Sequence, residues 1–269
     1  IGNTSDDVIQ VTGTLEVNGD LKVFNDTLVR NTVYAYDTTT TLFNESFEGL
    51  SDGSTSDPSA NGTWTNGLGN KDGTDIANGY SWIAEDTDAN SSGTGPDNAH
   101  SGSIYVFTEA SSRTNKYYTL QRSFTSPESK KIGKLSLYYH MFGANMGSLA
   151  VYASSSYLGG WSQLNITADV DGTPAVASSI SGQQHSAETD NYKRAEVNLD
   201  TYTGVEYSLR IVGLTGGNFP SDLAIDAIEF IPKSTTLNVS ATSVSASVPV
   251  SASTFYSDAI HTDDDSMYV

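Results

Sequence analysis

Thirty-two carboxylates, four histidines and no cysteine are the groups with which this chain of 269 residues could do chemistry. Acid–base or nucleophilic catalysis needs a reactive group beside a base that a third side chain orients. No such triple is marked around His100, His140, His185 or His261, and no pair of acids stands out for glycoside cleavage. The expectation is a protein that binds and is not an enzyme. Asp86-x-Asp88-x-Asn90, with Asp97 in the twelfth place, has the ligand spacing of a calcium hand. Ser91 stands where that loop needs glycine, so the match is set aside. Aromatic rings can stack on the apolar faces of sugars while loop acids bind the hydroxyls. Tyr80, Tyr117, Tyr157 and Phe219 are the candidates for that role, and the loops between residues 51 and 97 are the candidate binding face.

A net charge of −19 argues against nucleic acid as a partner, because affinity for a phosphate backbone rests on Lys and Arg displacing counterions. The same charge keeps an extended particle soluble by self-repulsion and suits cations. The absence of cysteine points to folding in a reducing cytoplasm, or to a lineage that dispenses with disulfides. Neither a signal peptide nor an apolar run long enough to cross a membrane is present, and a start at Ile1 suggests a segment of something longer.

The elements that must position these residues are strands. Aromatics make up 10% of the chain, 24 glycines and many Thr, Ser and Val accompany them, and no long stretch carries apolar residues at helical spacing. Strands are expected over 103–109, 117–125, 134–141, 147–153, 193–199, 205–213 and 223–231, a spacing that fits an antiparallel sandwich. Within 134–151, Leu135, Leu137 and Tyr139 alternate at a period of two and the pattern resumes after Gly143, so a hairpin is expected there. The polar stretch from 170 to 191 reads as an exposed excursion, and 51–97 as long loops.

Residues 11–34 repeat with a period of six, VTGTLE, VNGDLK, VFNDTL, VRNTVY, and a hexad register returns at Val244, Val250 and Tyr256. Such short units cannot bury their own apolar side and must stack. Four hexads make too thin a core for one chain, and three chains winding together would supply the rest. Three domains are therefore expected: an N-terminal β stalk over 1–41, a globular domain over 42–232 and a second stalk over 233–269. The stalks look like the shafts of phage tail fibres and spikes.

The wording of the central domain resembles the MAM family of extracellular adhesion domains. The matches run in order through Ser46-Phe47-Glu48, Trp64, Trp82, Ser92 to Asp97, His100, Gly102, Tyr105, Ser126-Pro127, Leu135 to Tyr152, Trp161 and Asp222 to Ile228. The family's cysteines are missing, and its doubled aspartate is here Asp226 followed by Ala227. The resemblance implies a jelly-roll sandwich and a role in binding or adhesion, with His100 and His140 in structural positions. It also implies a metal site at Glu48, Asp75, Asp97 and Asp226, whose oxygen donors suit structural Ca²⁺ pinning loops that lack disulfides.

The combined expectation is an all-β chain, an antiparallel jelly-roll β-sandwich between two thin trimeric β-helix or β-prism stalks. Its expected function is that of a homotrimeric fibre or spike protein of a virus, a phage in the first instance. Such a protein is assembled in the host cytoplasm into a virion beside other structural proteins, and touches a host-surface glycan or protein without inserting into the membrane. The alternatives are a head fibre or capsid decoration, and an extracellular bacterial adhesin or carbohydrate-binding module.

Overall fold

The computed structural model describes residues 42–58, 64–69, 71, 79–87, 91–155, 159–202 and 204–233. The two expected stalks, save Lys233, and the candidates Asp75 and Tyr157 lie outside the described residues. The described residues belong to one compact unit, Tyr36–Ser234.

All seven expected strands form, and each does so for the reason its pattern suggests. In Ile132–Met141 (β7), Leu135, Leu137, Tyr139 and Met141 are buried at every second position. The same period of two buries Leu149, Val151 and Ala153 in Ser148–Ser155 (β8), and Leu209 and Ile211 in Tyr207–Leu214 (β14). Tyr105–Phe107 (β5), Tyr117–Phe124 (β6), Lys193–Asn198 (β13) and Leu223–Pro232 (β15) complete the set. Shorter strands join them: Phe43–Glu45 (β1), Trp64–Asn66 (β2), Gly79–Tyr80 (β3), Ile83–Glu85 (β4), Gly160–Gln163 (β9), Ile166–Ala168 (β10), Ala175–Ala177 (β11) and Ile180–Ser181 (β12). Helix is confined, among the described residues, to one turn at Ser126–Ser129 (α1) and a 3₁₀ turn at Asp200–Tyr202.

The strands build two sheets. The first runs β11-β10-β13-β7-β15-β5-β4, with β1 added against β15. The second runs β12-β8-β14-β6-β2, with β3 on β6 and β9 on β8. Every pairing is antiparallel except β3 on β6. Between the sheets lies a single apolar core that includes Trp64, Trp82, Tyr118, Leu137, Tyr139, Val151, Ile211 and Phe230. A smaller cluster of Tyr105, Phe107 and Ala224 sits apart from it, with Ile83, Ala99 and Tyr192 packed against it.

The expected hairpin is corrected. β7 pairs with β13 and β15 in the first sheet, whereas β8 pairs with β12, β14 and β9 in the second. The connection is an arch across the core. Its peptide groups are used by the loop before β15: Asn145 N–H donates to the Pro220 carbonyl (3.0 Å) and Gly147 N–H to Ser221 Oγ (3.1 Å). The two strands lie in different sheets with their apolar sides facing each other.

Two other expectations are refined. Asp171–Ser178 is exposed as expected, yet the excursion carries β11 on the first sheet and β12 on the second, and Ile180 and His185 are buried. The loops of 51–97 contain β2, β3 and β4. The side chain of Asn66 stands in for a strand there, donating to the Trp82 carbonyl (2.9 Å) and accepting from its N–H (2.8 Å).

Candidate functional site

Strand register places Thr65, Gln121, Arg210, Tyr152 and Gln163 in one row across four junctions of the second sheet. Leu209, Ile211, Leu120 and Val151 point into the core, so this row lies on the opposite, outer face. At its centre, Arg210 donates from Nε (3.2 Å) and Nη2 (2.7 Å) to Gln121 Oε1. The forked guanidinium thereby fixes the amide of Gln121. The guanidinium also lies 4.1 Å from the ring centroid of Trp161, and Nη1 donates to the Lys71 carbonyl (3.4 Å). A planar cation against an indole face is attracted by the ring's quadrupole and holds the ring in place. Trp161 remains half-buried, and Gln163 is exposed with Nε2 donating to the Ser178 carbonyl (2.7 Å). The arrangement offers a half-exposed aromatic face fixed by a buried guanidinium, with the exposed amide of Gln163 on the same outer face.

The aromatic candidates read from the sequence fall near one end of this sheet. Tyr117 is half-buried and opposite Leu214 in register. Tyr80 is half-buried, its ring centroid 5.6 Å from that of Tyr118 and 5.2 Å from the Arg113 guanidinium. Phe219 is 48% exposed. Its loop runs beside the one before β6, with Asn115 N–H donating to the Gly216 carbonyl (3.0 Å) and Thr215 N–H to the Lys116 carbonyl (3.0 Å). Trp161, Arg210 and Gln121 were not singled out from sequence. Alternation in 205–213 and 117–125 places Arg210 and Gln121 outward, but only the pairing register makes them neighbours.

Of the four acids, Glu48 and Asp226 converge on one turn. Ser103 and Ile104 N–H donate to Glu48 Oε1 (2.9 and 2.8 Å), and Ser101 N–H donates to Asp226 Oδ2 (3.0 Å). Asp226 also accepts from Ala227 N–H (2.6 Å), whose φ of 46° turns the backbone back onto the carboxylate. Burial, with a smaller contribution from the charge of Glu48, raises the Asp226 carboxyl to about 6 against the hydrogen bonds it accepts. Glu48 and Asp226 are thus carboxylates of one turn, each held by backbone N–H groups. The backbone of Asp97 joins the loop of residues 188–192, its N–H donating to the Glu188 carbonyl (3.1 Å). Among the described residues, the three acids whose oxygens lie within 4.8 Å of one another are Asp52, Glu85 and Asp86. The three hydrogen bonds that Glu85 Oε1 accepts, two from Thr87 and one from Asp86, account for its place in the fold.

The imidazoles behave structurally. His140 and His185 are buried and stacked, and Met141 N–H donates to His185 Nδ1 (3.0 Å). Burial lowers both, His140 to about 3, so each is neutral at pH 7. Among the described residues no helix is long and apolar enough to cross a membrane.

Among solved structures, the chain is similar to the K2 cleaved adhesin domain of Lys-gingipain, at 17% identity over 70% of this chain and 98% of that one (TM-score 0.43). The CBM22-1 xylan-binding domain of Paenibacillus barcinonensis Xyn10C matches at 12% identity over 72% and 94% (TM-score 0.37). The K3 cleaved adhesin domain of Lys-gingipain from Porphyromonas gingivalis W83 matches at 15% identity over 71% and 98% (TM-score 0.35). In sequence, residues 73–235 match the MAM domain, meprin/A5/mu. That span takes in every strand but β1 and β2, and the Asp222–Ile228 phrase on which the resemblance closed, and the chain belongs to the MAM domain family.

Proposed function

We propose that this MAM domain is a non-catalytic adhesion module, displayed outside the cell or on a particle surface, that binds glycan chains across the outer face of its second sheet. The observation that carries this reading is the row Gln121–Arg210–Tyr152–Gln163 with Trp161 held against Arg210. A sugar ring needs an apolar platform and hydrogen-bonding groups that are already positioned, and rigid groups lose little entropy on binding. Tyr117 and Phe219, toward one end of the sheet, would extend the contact to neighbouring sugars. Affinity electrophoresis through gels containing soluble polysaccharides, backed by a glycan array, tests it. The wild-type chain is retarded by at least one glycan and Trp161→Ala is not; equal mobility of the two proteins in every gel overturns the reading.

Glu48 and Asp226 would hold a structural Ca²⁺ beneath the loop of residues 101–104. The support is the turn that the two carboxylates share, with Ser101 N–H on Asp226 and Ser103 and Ile104 N–H on Glu48.

A second reading concerns display. The hexad register at 11–34 and 244–257 favours a homotrimer in which three copies of the domain are carried on a thin fibre, as in viral tail or head fibres. Light scattering on the full chain tests this separately, with a trimer expected; a monomer removes the fibre and leaves the binding face untouched.

A further inference from the structure

On the outer side of the first sheet, the loop of residues 97–100 and the loop of residues 188–192 line a half-open pocket of about 150 Å³. We infer that this cavity is a second binding site, which takes a single neutral pyranose ring, such as the terminal residue of a glycan. The site is separate from the Trp161 face and goes beyond it.

Size narrows the ligand first. Pockets for drug-sized molecules span about 300–1,000 Å³, and one water needs only about 10–15 Å³. The cavity falls between, at the scale of one six-membered sugar ring. Its chemistry narrows the ligand further. Asn98 and Asn191 supply amides, Glu188 and Asp190 carboxylates, and His100 an imidazole, with Tyr192 as the aromatic wall. Carboxylates accept from hydroxyls and amides both donate and accept, which is the pattern a polyol satisfies. The two carboxylates exclude an acidic sugar. A lone metal ion does not fit, because among the described residues only Asp52, Glu85 and Asp86 bring three ligand atoms within 4.8 Å.

The walls are built in advance of any ligand. Asp190 Oδ2 accepts from Ser186 N–H (2.7 Å), Ser186 Oγ (2.9 Å) and Ala187 N–H (3.0 Å), which fixes one loop. Glu188 joins that loop to the other, its carbonyl accepting from Asp97 N–H and its Oε1 from Gly93 N–H. His100 is stacked on Tyr138 with centroids 3.5 Å apart, and burial of that face lowers its pKa, so it meets the ligand neutral at pH 7. The ring of Tyr192 is held by packing against the Tyr105, Phe107 and Ala224 cluster.

The test is nuclear magnetic resonance titration of the full chain with methyl pyranosides of glucose, galactose, mannose and N-acetylglucosamine, with glucuronate as the acidic control. At least one neutral pyranoside shifts the amides of Asn98–His100 and Asn191, glucuronate shifts none, and the response survives in Trp161→Ala. Asn98→Ala and Asn191→Ala, neither of which removes a wall contact described above, each weaken it about three- to tenfold, the loss of one neutral hydrogen bond. The inference is overturned if no neutral pyranoside moves these amides at tens of millimolar, if only Ca²⁺ moves them, or if both variants bind as the wild type does. Loss of the response in Trp161→Ala would assign it to the other face and overturn the inference equally.

Discussion

The imidazoles of His140 and His185 stack with their centroids 4.1 Å apart and their planes 24° from parallel. Lys193 and Asp190 bear on this pair from the excursion and β13, and the rings of Tyr139 and Tyr192 pack against it. A histidine whose folded pKa lies below its ordinary value leaves the unfolded chain to take up the proton first. Stability from His140 is therefore full above pH 6.5 and is lost as pH falls toward about 3. Asp222, raised to about 7, and Asp226, raised to about 6, act in the opposite sense, because the fold favours their neutral forms. The wild-type curve is thus a sum, and the comparison with His140→Gln isolates one part of it. The variant is the less stable protein at pH 7.5 and recovers about 2–3 kcal/mol relative to wild type by pH 4.5. Denaturant titrations at both values check this, and a constant difference would contradict it.

Arg122 is buried on the core side of β6 among four rings. Its guanidinium lies 4.7 Å from the centroid of Phe43, 5.0 Å from Phe124, 5.6 Å from Phe230 and 5.9 Å from Trp64. The nearby charges of Glu128 and Glu45 favour its cationic form, while burial opposes it. Removing the cation leaves buried Glu45 uncompensated and empties space between the rings. Arg122→Ala should cost about 3–5 kcal/mol by urea unfolding. Arg122→Met, which fills the space without charge, should recover part of that loss.

Gly143 occupies φ 145° in the arch between β7 and β8, and a Cβ there would lie 2.5 Å from the Pro220 carbonyl oxygen. The contact is with backbone, so it cannot relax by a side-chain turn. Gly143→Ala should lower stability by about 2 kcal/mol. Gly159, at φ 67° with open space around it, is the control, and its Ala variant should cost about half as much.

Ca²⁺ should raise the thermal midpoint of the full chain, and EDTA should reverse the shift. Glu48→Gln and Asp226→Asn should each abolish the response. In EDTA, Asp226→Asn should be less stable than wild type by about 1–2 kcal/mol, since both Asp226 oxygens accept backbone N–H groups and the amide keeps only one of those acceptors. An unchanged Ca²⁺ response in both variants would locate the ion elsewhere.

How far the fold was legible in the sequence differs from element to element. Strand alternation marks β6, β7, β8, β13, β14 and β15, because each shows at least two inward residues at a period of two, and Ile104 with Val106 marks the run that holds β5. β2, β3 and β4 are two or three residues long, too short for any period, and are held by contacts such as Asn66 with Trp82. Alternation also says which side of a strand is buried but not which strand lies beside it. The inward rows of β7 and β8 would look the same in a hairpin as in an arch, and Gly143 with Pro220 decides between them. The site divides likewise. Glu48 and Asp226 were marked by family phrases at the two ends of the domain. The Arg210 and Trp161 face depends on pairing across β14, β8 and β9, which no local pattern records.

The pairing of β1 with β15 bears on how the domain carries load. Phe43 lies opposite Phe230, and Leu42 N–H donates to the Phe230 carbonyl, so the chain comes in and goes out side by side along one antiparallel ladder. Tension applied between Leu42 and Lys233 would open those hydrogen bonds one after another, as a zipper does, instead of shearing them together. The bulge that breaks β15 register between Asp226 and Glu229 follows at once. Pulled in that way the domain yields at low force from its own edge inward, toward the turn where Asp226 meets Ser101.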